Sequence, residues 1–298
     1  MTIRSKLHRI KLRWELATPL AAMRRFCSAT LLSATLAAAG SSVAAQTQQE
    51  QRWCEGADAA TPTQRIDGCS SVIKAANEKG EKPAEAFNAR GVAYRLKGEV
   101  DRAIQDYGQA IKLNGKLAAA YNNRGVAYDH KGDYDRAIQD YEQAIKLKPS
   151  AEPYFNRGNA YLGKAQYDHA IDDFNQAIRL KADFAPAYDN RCWARAVVGI
   201  LKQALADCNQ AMRVSPNNAA TFNSRAFIFL KMTQLDAAVS DYNTALRIDP
   251  KLAFALYGRG LAKLKSEDQA GEADLAAAKS LQADIAQEYL RYGIRDAR

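Results

Sequence analysis

Past residue 45 the chain holds four cysteines, Cys54, Cys69, Cys192 and Cys208, and two histidines, His130 and His169. Thiolates and imidazoles are the side chains best suited to hold zinc, attack a carbonyl or exchange disulfides. Their spacing here supports none of these. No two cysteines form CxxC, no histidine stands near a cysteine, and the two histidines belong to different parts of the chain. No HExxH, GxSxG or P-loop occurs, and no GxGxxG follows a strand pattern. Carboxylates remain. Asp106, Asp140, Asp173, Asp207, Asp241 and Asp274 share one recurring place, as do Arg90, Arg124, Arg157, Arg191, Arg225 and Arg259. A charge repeated in this way is architecture rather than acid–base machinery. The sequence therefore predicts no catalytic residue, no metal site and no cofactor, and an enzyme reading rests on no positive feature.

The elements that carry these residues are read from the period. FNARGVAY begins at Phe87, YNNRGVAY at Tyr121, YFNRGNAY at Tyr154, YDNRCWAR at Tyr188, FNSRAFIF at Phe222 and LYGRGLAK at Leu256. The arginines of these blocks are spaced 34, 33, 34, 34 and 34 residues apart. A second block follows each first one, such as RAIQDYGQAIKL from Arg102 and RAIQDYEQAIKL from Arg136. Apolar or small residues recur at helical spacing in both, as at Phe87, Gly91 and Tyr94, then Ala103, Tyr107, Ala110 and Ile111. Short turns such as Lys97-Gly98-Glu99 separate the blocks, and Pro149, Pro216 and Pro250 follow the second. Acidic residues start many second helices and Lys112, Lys146, Arg179, Arg213 and Arg247 end them, which suits the helix dipole.

This pattern resembles the tetratricopeptide repeat: aromatic-x2-residue-Gly-x2-Tyr, then Ala-x3-aromatic-x2-Ala, then Pro. Phe87-x2-Arg90-Gly91-x2-Tyr94 and Ala103-x3-Tyr107-x2-Ala110 carry it in the first copy. The resemblance implies an all-α fold, a right-handed superhelical solenoid of antiparallel helix hairpins. Six repeats are expected at 84–117, 118–150, 151–184, 185–218, 219–252 and 253–283. The chain departs from the family by placing Arg where Leu is usual, in all six copies. In an antiparallel hairpin the Arg and Asp places lie at similar height, so six structural Arg–Asp pairs are expected.

The resemblance also implies a function: binding another protein in a groove lined by the first helices. With Ala84, Ala118, Ala151, Ala185, Ala219 and Ala253 as place one, the groove stripe is places 2, 5, 6, 9, 12 and 13. Here it holds Asn88, Asn122, Asn123, Asn156, Asn159, Asn190 and Asn223, with Phe155, Trp193, Phe227 and Tyr257 toward the C-terminal half. Asparagine amides donate and accept at once, so a row of them can grip an extended peptide backbone. The alternative is that they stabilise neighbouring repeats. Trp193 has two readings likewise, a binding anchor exposed in the groove or a core residue packed on the next hairpin. The family's Lys/Arg clamp for a terminal carboxylate is absent, since Asn88 and Ala89 stand at its places in the first repeat.

Register also pairs the cysteines. Cys192 replaces the Gly of a first helix and Cys208 the Tyr of the second, two places that face each other. QRIDGCSSVIKA from Gln64 aligns with the second-helix block and puts Cys69 where Cys208 stands. Disulfides Cys54–Cys69 and Cys192–Cys208 are expected. Residues 46–83 read as a stapled N-terminal cap, a degenerate repeat, and 284–298 as a C-terminal capping helix.

The first 45 residues read as an address. Seven basic residues precede an apolar run from Phe26 to Ala39, and Val43 and Ala45 sit at −3 and −1 of a cleavage before Gln46. Synthesis from Met1 or from Met23 would both supply such a leader. No lipidation box follows. Removing the leader takes 42 basic against 33 acidic residues to 35 against 32, a net +3, so the excess positive charge belongs largely to the address. No basic stripe interleaved with aromatics remains for nucleic acid, and no membrane span is expected after cleavage. The sequence reading is a periplasmic, non-catalytic scaffold or adaptor for a protein or peptide partner. The alternative is a self-associating structural protein of the cell envelope.

Overall fold

The computed structural model describes residues 46–57 and 59–295; the leader and the cleavage site after Ala45 lie outside them. The described residues form fifteen helices and no strand. They fall into two compact units, divided between Pro149 and Ser150.

The first unit runs to Pro149. Helix α1 covers 46–55 and α2 covers Pro62–Glu78. Hairpins follow from α3 (Ala84–Leu96) to α4 (Val100–Leu113) and from α5 (Ala118–Lys131) to α6 (Tyr134–Leu147). The second unit has four hairpins: α7 (Ala151–Gly163) with α8 (Tyr167–Leu180), α9 (Ala185–Val197) with α10 (Leu201–Val214), α11 (Ala219–Lys231) with α12 (Leu235–Ile248), and α13 (Ala253–Lys265) with α14 (Gly271–Leu281). A short helix, α15 (Ile285–Arg291), ends it. Within each unit a first helix packs on its own second helix, on the second helix before it, and on neighbouring first helices.

Small and large residues interlock inside each hairpin. A Cβ on Gly91 would meet the Tyr107 ring at 2.6 Å, and one on Gly125 the Tyr141 ring at 2.7 Å. Alanines at the other contact places, such as Ala103, Ala137, Ala170, Ala204 and Ala238, are fully buried and let the backbones approach. In the hairpin of α9 and α10 the Gly–aromatic pair is replaced by the Cys192–Cys208 disulfide, Cα atoms 5.4 Å apart. Cys54 and Cys69 bridge α1 to α2, Cα atoms 4.6 Å apart. Both bonds are the expected ones.

The turn between the two helices of each hairpin uses one left-handed residue at a constant place. Gly98, Gly132 and Gly199 fill it in three hairpins at φ 80°, 77° and 87°. Ala165, Thr233 and Glu267 fill it in the other three at φ 56°, 60° and 64°, where a side chain is strained. The turn geometry is therefore set by the hairpin, and glycine is the residue that adopts it most readily.

The arginines form the expected ladder. Arg90 Nε and Nη2 donate to Asp106 Oδ2 and Oδ1 at 2.7 and 2.8 Å, and Arg124 to Asp140 at 2.8 and 2.8 Å. Arg157–Asp173, Arg191–Asp207, Arg225–Asp241 and Arg259–Asp274 repeat this two-pronged geometry. The period alone does not disclose two further details. Each guanidinium from Arg90 to Arg225 lies against the aromatic ring three residues before it, Phe87, Tyr121, Tyr154, Tyr188 or Phe222, at 5.3–5.9 Å. The remaining Nη1 reaches the preceding second helix: Arg90 to Ser70 at 3.0 Å, Arg191 to Asn175 at 2.7 Å, Arg225 to Asn209 at 2.8 Å and Arg259 to Asn243 at 2.8 Å. Each of these four arginines thus ties its own hairpin and clips it to the second helix before. Ser70 holds the place of those asparagines, which puts α2 in register with the other second helices.

Candidate functional site

The candidate site is the face of the first helices, and the two units differ there. In the first unit Asn88 on α3 and Asn122 and Asn123 on α5 are half-buried at that face. Asn123 Nδ2 donates to Asn88 Oδ1 at 2.9 Å, linking neighbouring first helices. An amide has two donors and two acceptor lone pairs, and this bond uses one donor of Asn123 and one acceptor position of Asn88. The pair holds its geometry and keeps capacity for a backbone laid across it.

In the second unit the expected stripe is largely taken up by the fold. Asn190 Nδ2 donates to Asn159 Oδ1 at 2.6 Å, and Asn159 is only 4% exposed. Asn223 is 3% exposed. Phe227 and Tyr257 are fully buried core residues. The expectation that Asn159, Asn223, Phe227 and Tyr257 line an open groove is corrected on this ground: in this structure these side chains have almost no accessible surface. Phe155 is half-buried with its ring against Phe174 and Phe184, at 5.9 and 4.9 Å. Trp193 is half-buried too, and its ring meets Phe227 at 5.2 Å, Phe254 at 5.3 Å and Tyr292 at 5.2 Å. Of its two readings the packed one describes this structure. Asn156 and Asn190 are the half-buried asparagines left at this face.

One residue of the stripe escapes a reading based on asparagines and aromatics. Asp189 takes the place that Asn88, Asn122 and Asn223 hold in other repeats, and it is buried. Its Oδ1 has no hydrogen-bond partner among the described residues. Burial pushes its carboxyl up to about 6, and the nearby Thr221 hydroxyl offsets only part of that. The sign follows from linkage. The folded chain holds this proton more tightly than the unfolded chain, so the contribution of Asp189 is most favourable below about pH 4 and is lost as pH rises through about 6. At about 1.36 kcal/mol per unit, the loss is on the order of 2–3 kcal/mol. Asp189→Asn is expected to raise stability at pH 8 by about 2 kcal/mol and to leave it nearly unchanged at pH 4, read by denaturant melts at both pH values. Equal stabilities at pH 8 would contradict this.

Among the described residues no three His, Cys, Asp or Glu side chains gather as a metal site. None of the described helices is long and apolar enough to cross a membrane. The carboxylates of the Asp ladder are taken up by arginine.

Comparison with known proteins gives one family. A family profile described as "Tetratricopeptide repeat" matches residues 118–150 and 151–184, a second of the same description matches 219–252, and one described as "TPR repeat" matches 84–129. No curated protein matches the sequence. Among solved structures, YrrB, described as "a TPR protein with an unusual peptide-binding site", is 21% identical at a TM-score of 0.56, covering 65% of this chain and 100% of its own. A tetratricopeptide repeat protein from Parabacteroides merdae is 18% identical at a TM-score of 0.59, covering 83% and 100%. PilF of Pseudomonas aeruginosa is 17% identical at 0.56, covering 70% and 95%. At these identities the likeness speaks for the fold. Together with the hairpins, their turn place and the Gly–aromatic contacts, these matches make the chain a tetratricopeptide repeat protein.

Proposed function

We propose that this chain is an exported, non-catalytic scaffold that takes an extended protein segment on the first-helix face of its first unit, with the periplasm as its compartment. Proteins of this family generally mediate protein–protein contacts. The observation that carries the finer reading is the Asn123–Asn88 bond. It fixes two amides on adjacent first helices at half-exposed positions. Peptide backbone offers alternating donors and acceptors, so fixed amides bind it without reading its side chains. The leader supports export, and two disulfides fit a chain that works outside the reducing cytosol.

The test is a pair of measurements. Exported protein should have the intact mass of a chain starting at Gln46; residues 1–45 still attached would contradict export. An array of unstructured peptides tiled from envelope proteins should bind the exported protein. Asn88→Ala with Asn123→Ala should weaken that binding about tenfold while shifting the melt little. Unchanged binding by the double variant would refute the amide site.

A further inference from the structure

The last helix does more than close the stack. Closing the solenoid needs contact with the final hairpin, α13 and α14, and α15 makes it. Its side chains continue beyond that. Tyr289 stacks on Phe254 at 4.2 Å and meets Tyr257 at 5.0 Å and Phe227 at 5.9 Å. Its hydroxyl donates to the Phe254 carbonyl at 2.8 Å and lies 3.2 Å from the Tyr242 hydroxyl. Tyr292 reaches Trp193 on α9, two hairpins before α13, edge-on at 5.2 Å. Ile285 and Ile294 are buried beside them. The tail thus lies across α9, α11 and α13, on their first-helix face. A helix of seven residues has little stability of its own. Its place is held by these side chains, chiefly by two tyrosines three residues apart.

The two halves of the tail are built differently. Tyr289 is sealed under the final repeats with its hydroxyl bonded. Tyr292 and Ile294 belong to the part beyond the helix end, on a turn through Gly293 at φ 80°, and the Tyr292 ring covers Trp193. This outer half is held by ring contacts and by a hydrogen bond between the Tyr292 and Tyr167 hydroxyls, both of which a competing tyrosine can replace. Leu290, on the opposite side, is 58% exposed.

We infer that the first-helix face of residues 150–295 is a second binding site, for a short amphipathic helix bearing aromatic residues three apart, and that the chain's own residues 285–294 hold it closed. The occupant seen in the structure defines what the face accepts: one ring stacked on Phe254, a second set edge-on to Trp193, and an aliphatic side chain following. A partner segment of that chemistry competes with the tail, so binding is weak until the tail lifts. This site is separate from the Asn88–Asn123 face, and failure of either proposal leaves the other standing.

The probe is a fluorescein-labelled peptide copying residues 284–295, added to the full exported chain and followed by anisotropy. Tyr289→Ala with Tyr292→Ala removes both rings that hold the tail down and empties the places on Phe254 and Trp193. The peptide is expected to bind this variant at least about tenfold more tightly than the native chain, since the closed fraction no longer subtracts from its affinity. Adding Trp193→Ala should remove the gain. Equal binding to variant and native chain would overturn the inference, as would equal binding by a peptide with both tyrosines changed to alanine. Should the variant unfold, hydrogen exchange on the native chain decides. Amides of 285–294 are expected to exchange orders of magnitude faster than those of α13, and matching rates would show a fixed part of the core.

Discussion

Replacing Asp207 with alanine is expected to cost about 3–5 kcal/mol of stability, the largest effect of any single change in the ladder. Its carboxylate accepts from Arg191 Nε at 2.9 Å and Nη2 at 2.5 Å, and from Arg195 Nη1 at 2.6 Å. The three side chains are 6%, 12% and 15% exposed. Removing the anion leaves two guanidiniums facing each other, largely out of water, with their desolvation uncompensated. Elsewhere in the ladder the same logic gives a different answer for paired replacement. Changing Arg225 and Asp241 together to leucine, the residue the family usually places at the arginine position, should be close to neutral. The charges then leave together and apolar packing takes their space. Denaturant melts of the single and paired variants separate the cases. A cost below about 1 kcal/mol for Asp207→Ala would mean that water reaches the cluster.

The second large effect is expected at the Cys192–Cys208 bond. It closes a loop of 16 residues inside one hairpin, and its removal by Cys192→Ala with Cys208→Ala should cost about 3 kcal/mol. The neighbouring repeats show how to restore the loss without sulfur. Gly158 sits on the ring of Phe174 where Cys192 meets Cys208, with a Cβ-to-ring approach of 2.7 Å that only glycine permits. Cys192→Gly with Cys208→Tyr should therefore recover packing and lie above the double alanine variant in a thermal melt. A double alanine variant as stable as the native protein, or a Gly–Tyr variant below it, would contradict this account of the hairpin interior.

The architecture was legible because it is periodic. Arg90 and its five equivalents, read against Asp106 and its equivalents, predict pairs that the structure shows as two-pronged bonds. The cysteine pairing followed from the same register. The aromatic partners of those arginines were equally available in the sequence, as the residue three before each Arg, but a spacing count does not say which ring faces a guanidinium. The Nη1 clip to Asn175, Asn209 and Asn243 was hidden for a related reason: it joins two repeats, whereas a motif describes one.

The exposed part of the first-helix face was legible only in part. Reading places 5, 6 and 9 as groove assumes that nothing of the chain itself covers them. That holds for Asn88 and Asn123. It fails at Phe227 and Tyr257, which are large and apolar because Tyr289 packs on them. The clue was present in the tail as Tyr289 and Tyr292, spaced to fall on one side of a short helix. Where that side would land depends on the three residues from Gln282 to Asp284, whose path no periodic pattern encodes. Asp189 was passed over because an aspartate among asparagines reads as a surface variant until burial shows its cost.

Site-specific photo-crosslinking in cells that make the protein tests the binding claim most directly. Benzoylphenylalanine placed at Ala119, exposed at place 2 of α5, lies on the first-helix face; placed at Gln139, exposed on α6, it lies on the second helices. The account predicts adducts with another protein from position 119 and none from position 139. Adducts from position 139, with none from position 119, would contradict it.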